Sequence, residues 1–174
     1  MNRAYMIALS LGLSLAINLE AEVKKTYVSL DRIKSMCTDI YQQVQKDNLK
    51  PSLLLTMCRG GLIPTGLLAG EEMFNNRNVV TISIESYDDD NQQGELTLRF
   101  PAHLEDYANF NTILIIDDIA DSGKTLEFVI KLLKEHLPNA TIKTAVLFYK
   151  PKSKIKPDYY VEETTDWIVF PWEN

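Results

Sequence analysis

From Tyr27 onward the apolar residues fall into two alternating regimes, and each regime predicts one kind of element. The segment SLDRIKSMCTDIYQQV, from Ser29 to Val44, places Leu30, Ile33, Met36, Cys37, Ile40, Tyr41 and Val44 at helical spacing behind a capping Ser29. It predicts a first helix. The runs SLLLTM (52–57), VVTISI (79–84), TILII (112–116) and TIKTAVLFY (141–149) are short, apolar and rich in β-formers. The first three run without alternation, the pattern of strands covered on both faces. Between them, GLIPTGLLAGEEMF (61–74) and TLEFVIKLLKEHL (125–137) have helix composition. Strands and helices in turn predict an α/β fold: a single-domain parallel sheet flanked by helices. No internal repeat, low-complexity tract or linker divides the chain.

The amino terminus follows a different pattern. AYMIALSLGLSLAI (4–17) is uncharged and too short to span a bilayer, with Arg3 ahead of it. As a secretion signal it is poor, because the best cleavage point, after Ala21, has Leu19 where a small residue is preferred. Leu9, Leu11, Leu13, Leu15, Ile17 and Leu19 alternate strictly, as in a strand. An upstream extension or an extra packed element fits better than a removed signal, and the protein is expected in the cytoplasm.

Composition narrows the chemistry. The chain has 174 residues, long enough for one domain with a true core, and a net charge of −6 that disfavours nucleic acid as a partner. An anionic ligand must then be held by backbone amides or through a metal. Cys37 and Cys58 have no CxxC spacing, and His103 and His136 stand apart, so zinc is not expected.

In a parallel sheet, ligands sit at the carboxyl ends of the strands. Two segments there carry chemistry. CRGG, at 58–61, follows the strand SLLLTM and opens a helix; DDIADSGKT, at 117–125, follows the strand TILII and opens another. As a Walker P-loop the second fails, since Asp118 stands where the first glycine is required. Residues 121–125 nevertheless offer successive amides, two hydroxyls and Gly123 at a helix start, a phosphate nest. Asp117 and Asp118 suit vicinal sugar hydroxyls and a hydrated Mg²⁺ ion. A ribose phosphate satisfies both halves.

ILIIDDIADSGKT resembles the phosphoribosyl pyrophosphate (PRPP) signature of the type I phosphoribosyltransferases. LLLTMCRGGLIPTGLLA is similar to the pyrophosphate loop and following helix of the bacterial xanthine-guanine (purine) members. ISIESYDDDNQQGELTL resembles their mobile catalytic loop, and FYKPKSKIKPDYYVEETTDWIVFPWE their base-recognition segment. The resemblance implies the type I phosphoribosyltransferase fold over residues 26–174, with a small hood at about 150–174, and leaves 1–25 as an extension. It implies a Mg²⁺-dependent purine salvage enzyme that transfers phosphoribose from PRPP to a 6-oxopurine, and a homo-oligomer, dimer or tetramer.

The resemblance also implies residue roles. Asp117 and Asp118 take the ribose and the hydrated metal; Asp121, Ser122, Gly123, Lys124 and Thr125 hold the 5-phosphate. Cys58, Arg59, Gly60 and Gly61 hold pyrophosphate, with a cis Cys58–Arg59 peptide, although the xanthine-guanine members usually carry Ser where this chain has Cys58. Asp121 accepts the proton of purine N7, and Ser86 and Tyr87 belong to the closing loop. Lys150 donates to the purine 6-oxo group, Trp167 stacks on the base, and the backbone of Ile168 and Val169 reads its far edge. Two other readings remain: a non-catalytic sensor of PRPP or nucleotide on the same fold, against which the net charge and the intact acids argue, and a pyrimidine transferase, against which Lys150 and Trp167 argue.

Overall fold

The computed structural model describes residues 24–86, 96–99 and 104–173. The helical spacing after Ser29 forms α1 (Leu30–Lys46), with Ile33, Met36, Cys37, Ile40 and Val44 buried on one face. The Ser29 hydroxyl accepts from the Arg32 amide at 3.2 Å, which satisfies one of the donors a helix start leaves open. The apolar runs form β2 (Leu53–Cys58), β3 (Asn78–Ser86), β5 (Thr112–Ala120) and β6 (Thr141–Tyr149). Two further helices, α2 (Leu62–Ala69) and α3 (Lys124–His136), lie between them. Short elements complete the chain: β1 (Lys25–Tyr27), β4 (Leu96–Arg99), a 3-10 turn at Leu104–Tyr107, β7 (Tyr159–Glu163) and β8 (Trp167–Val169).

The main sheet has the order β4-β3-β2-β5-β6-β7 and is parallel except for β4, which pairs antiparallel with β3. Strand side chains alternate between faces and therefore feed two cores. Leu114 and Ile116 point with Leu54 into the core under α1 and α2, while Ile113 and Ile115 point with Leu53, Leu55 and Met57 into the core under α3. Burial on both faces explains why these strands read as unbroken apolar runs.

Two expectations need correction, and two others gain detail. The acids do not follow β5; Asp117 and Asp118 lie within it, because pairing with β6 continues to Ala120↔Tyr149 while pairing with β2 stops at Thr56↔Ile116. The second helix stops at Ala69, ahead of Gly70, and the GEEMF segment turns back to bury Phe74. The parallel sheet carries an antiparallel edge strand. The carboxyl-terminal segment is divided: β7 extends the main sheet beside β6, whereas β8 pairs in parallel with β1 in a separate two-stranded sheet. Strands of three to five residues carry too few positions for a period to be read. The alternating segment 4–17 and most of the loop after Ser86 lie outside the described residues.

Candidate functional site

Beyond Ile116, β5 has lost its β2 neighbour, and the CRGG turn folds into the space that this leaves. The Cys58–Arg59 peptide is cis, and Gly60 lies so close to Asp118 that a Cβ on it would overlap the carboxylate. Gly61 is packed as tightly: a Cβ there would overlap the Ile116 carbonyl and come within 2.8 Å of that of Met57. Its amide donates to the Met57 oxygen at 2.8 Å, closing the turn into α2. Both glycines are required by close backbone approach, not by a left-handed conformation.

The two acids under this turn are electrostatically unsatisfied. Burial raises Asp117 well above the usual carboxylate range, and the charge of neighbouring Asp118 raises it further. Burial also pushes Asp118 up to about 6; hydrogen bonds from the Ile119 backbone and the Trp172 side chain oppose this, while the Glu173 carboxylate adds to it. Two adjacent carboxylates, both raised chiefly by burial, form a donor set short of positive charge. That set fits a hydrated divalent cation or sugar hydroxyls.

After Ala120 the chain makes the predicted turn. Gly123 has a φ of 72°, the left-handed region that glycine adopts without strain, and it starts α3. The segment after β6 straps this turn. The Lys154 amide donates to the Ser122 carbonyl at 3.0 Å, and the Ser153 hydroxyl donates to the Ile155 carbonyl at 2.8 Å. A Cβ at Gly123 would overlap the Ser153 hydroxyl and sit 2.9 Å from the amides of Lys154 and Ile155. The glycine is therefore required twice, by its dihedral and by the strap.

A cavity of about 320 Å³ lies over the turn, lined by Cys58 and Gly60, by Asp117, Asp118 and Asp121, and by Ser122, Gly123 and Thr125. A second, of about 950 Å³, is lined by Tyr27, Arg59, Gly60, Asp118, Trp167, Val169, Trp172 and Glu173, among others. The two share Gly60 and Asp118. Lys150 lines neither cavity but contacts a lining residue of each: it is 5% exposed, donates to Asp121 Oδ2 at 3.1 Å, and its ammonium stands 5.8 Å from the centroid of the half-exposed Trp167 ring. Lys152 comes to the other Asp121 oxygen at 2.8 Å.

The description "Phosphoribosyl transferase domain" matches residues 21–173. The chain belongs to the phosphoribosyltransferase family. Xanthine-guanine phosphoribosyltransferase of Cereibacter sphaeroides is 36% identical over 129 residues, which cover 73% of this chain and 72% of the relative. Two solved structures superpose on this phosphoribosyltransferase. A purine phosphoribosyltransferase from Pyrococcus horikoshii has a TM-score of 0.72 and 32% identity, covering 86% of this chain and 95% of that one. The Helicobacter pylori xanthine-guanine-hypoxanthine phosphoribosyltransferase has a TM-score of 0.75 and 30% identity, over 86% and 94%. The fold is the type I phosphoribosyltransferase fold.

Not every residue singled out from the sequence reaches the cavities of this phosphoribosyltransferase. Asp117, Asp118, Asp121, Ser122, Gly123, Thr125, Cys58, Arg59, Gly60, Trp167 and Val169 line one cavity or the other. Lys124 is exposed on α3 and lines neither, and Gly61 acts through packing. Ile168 is buried in the core under α1, so only its backbone is available to a ligand. The Trp167 amide donates to the Lys24 carbonyl and the Val169 carbonyl accepts from the Val28 amide, so the residues flanking β1 already use those two groups. The Ser86 side chain and all of Tyr87 lie outside the described residues. Sequence reasoning missed Lys152, Trp172 and Glu173. The last two were within reach in the PWE ending; nothing in KPKSKIK distinguishes Lys152 from the lysines around it.

Proposed function

We propose that this phosphoribosyltransferase carries the 5-phosphoribosyl group of PRPP to a 6-oxopurine, guanine, xanthine or hypoxanthine, releasing pyrophosphate and the nucleoside monophosphate in purine salvage. The observation that carries this reading is the buried Lys150 ammonium between Asp121, at 3.1 Å, and the Trp167 ring, at 5.8 Å, beside the paired acids. A purine that stacks on Trp167 offers its 6-oxo group to Lys150 and its N7 proton to Asp121. The backbone at Ile168 and Val169 borders its far edge. The amides of residues 121–125 hold the 5-phosphate at the start of α3, and the turn from Cys58 to Gly61 holds pyrophosphate. Asp117 and Asp118 accept the ribose hydroxyls and, through water or substrate, hold Mg²⁺, which when bound offsets negative charge on the leaving pyrophosphate. Asp121 acts as general base and keeps negative charge near the sugar as its bond to pyrophosphate breaks.

Residues 26–174 make up this transferase domain in our reading, with 1–25 an extension. The protein works in the cytoplasm, where PRPP is made, as a homo-oligomer. No described helix is long and apolar enough to cross a membrane. The deciding experiment is a panel of free bases with PRPP and Mg²⁺, read by pyrophosphate release. Guanine, xanthine or hypoxanthine should support release, and adenine, uracil and orotate should not. Lys150→Ala should cost roughly 1 to 3 kcal/mol in kcat/KM for the 6-oxopurine. Release with pyrimidines, or with no base at all, defeats the proposal.

A further inference from the structure

We propose that Lys152 is a positioning residue for Asp121: it holds the second oxygen of that carboxylate, the one Lys150 does not bind, so the acid stays in place when a purine draws Lys150 toward its 6-oxo group. The inference rests on the reading of Lys150 and Asp121 as purine-binding groups.

The geometry of the carboxylate divides its two oxygens between two lysines. Lys150 Nζ donates to Oδ2 at 3.1 Å, and Lys152 Nζ stands 2.8 Å from Oδ1 as an ion pair. Oδ1 is buried yet lacks an aligned hydrogen bond, so it keeps an acceptor position for a donor arriving from the cavity. The two lysines are not equivalent. The Lys150 side chain is 7% exposed, with the Asp121 carboxylate and the Trp167 ring as its neighbours, and a bound purine carbonyl competes directly for its hydrogens. The Lys152 side chain is 66% exposed and pairs with the other oxygen, so a purine carbonyl that draws on Lys150 leaves this ion pair in place.

The origin of Lys152 is fixed even though its end is solvated. Pro151 restricts the backbone before it, the Ser153 amide donates to the Lys150 carbonyl at 2.8 Å, and the Lys154 amide ties the strap to Ser122 at 3.0 Å. The charge balance at Asp121 agrees: burial raises its carboxyl, but Lys152 and then Lys150 outweigh this and hold it below the usual range. Without Lys152, a purine engaging Lys150 would leave Asp121 facing the base with no cation of its own. An exposed ion pair is a modest interaction, which sets the size of the effect at roughly fivefold.

The test is steady-state kinetics of the full chain with guanine, PRPP and Mg²⁺, for wild type, Lys152→Ala, Lys152→Arg, Asp121→Asn and the Asp121→Asn/Lys152→Ala double variant. Lys152→Ala should raise KM for guanine roughly fivefold, with KM for PRPP within about twofold of wild type. Lys152→Arg should restore guanine KM, and Lys152→Ala should add nothing in the Asp121→Asn background. If Lys152→Ala matches wild type while Asp121→Asn is impaired, the inference falls and the function proposed above stands. A rise in KM for PRPP instead of guanine assigns Lys152 to the phosphate strap and overturns it, as does an undiminished effect in the Asp121→Asn background. Wild-type kinetics in Asp121→Asn overturn the reading of Asp121 and this inference with it.

Discussion

At the scale of single residues, Gly60 shows how a requirement visible in a sequence can have a partner that is not. CRGG reads as a turn that opens a helix and, by resemblance, holds pyrophosphate, but in the folded chain an added Cβ on Gly60 meets first the protein's own Asp118. An added Cβ would overlap that carboxylate, and Asp118 is 8% exposed within a paired strand, so the turn must move instead. Gly60→Ala should therefore fold normally, with an unchanged circular dichroism spectrum, yet bind Mg²⁺ and PRPP at least about tenfold more weakly in calorimetry, the equivalent of roughly 1.4 kcal/mol. Unchanged PRPP affinity would remove the CRGG turn from the site. Gly123, in contrast, was legible as a glycine at a helix start; only the strap above it, from Ser153 to Ile155, was hidden.

At the scale of elements, legibility followed length and local period. The first helix was readable because its i, i+3, i+4 apolar positions coincide with a single buried face. Ile40 lies on that face at 1% exposure, and truncating it leaves a cavity between α1 and the sheet. Ile40→Ala should lower unfolding free energy by about 2 to 5 kcal/mol in urea titrations, with little change in KM for PRPP; a loss well below that range would mean the helix repacks freely. The central strands were readable as doubly buried runs. What escaped was where pairing stops: β5 runs four residues past its last pair with β2, and that stretch presents Asp117 and Asp118 to the CRGG turn. Strand ends depend on pairing partners, which a local pattern does not contain. For the same reason β1 and β8, tied by the Thr26 hydroxyl to Asp166 across 140 residues, were not foreseen.

At the scale of the whole molecule, an acidic chain concentrates unsatisfied charge at one place. Asp117 and Asp118 both hold protons more tightly folded than unfolded, chiefly through burial. An acid whose folded pKa lies above its unfolded value, near 4, loses stability as pH rises through the interval between them. For Asp118 that interval ends at about 6, and Asp117 acts in the same direction. Asp121 and Asp166, held below the usual range, act in the opposite sense, but only at lower pH. The ligand-free protein should therefore melt at a higher temperature at pH 5 than at pH 7.5, by the equivalent of on the order of 2 kcal/mol. Replacing both acids by Asn should flatten the dependence, and Mg²⁺ with PRPP should stabilise most at pH 7.5. Scanning calorimetry across pH 4.5 to 8 tests this, and a melting temperature that rises steadily to pH 8 contradicts it.

The sequence by itself determined the alternation of doubly buried strands with one-faced helices, hence the α/β class, and it placed three acids and a phosphate turn where such a fold collects its ligands. Those properties are local: they follow from the spacing of apolar residues and the backbone freedom of glycine. The tertiary structure alone decided which side chains meet. Gly60 against Asp118, Glu173 beside that same acid, and two lysines dividing the oxygens of Asp121 come from loops far apart in sequence. The order β4-β3-β2-β5-β6-β7 brings them to one end of the sheet. Electrostatics and sterics at that end depend on distances in space, and a spacing along the chain does not encode them.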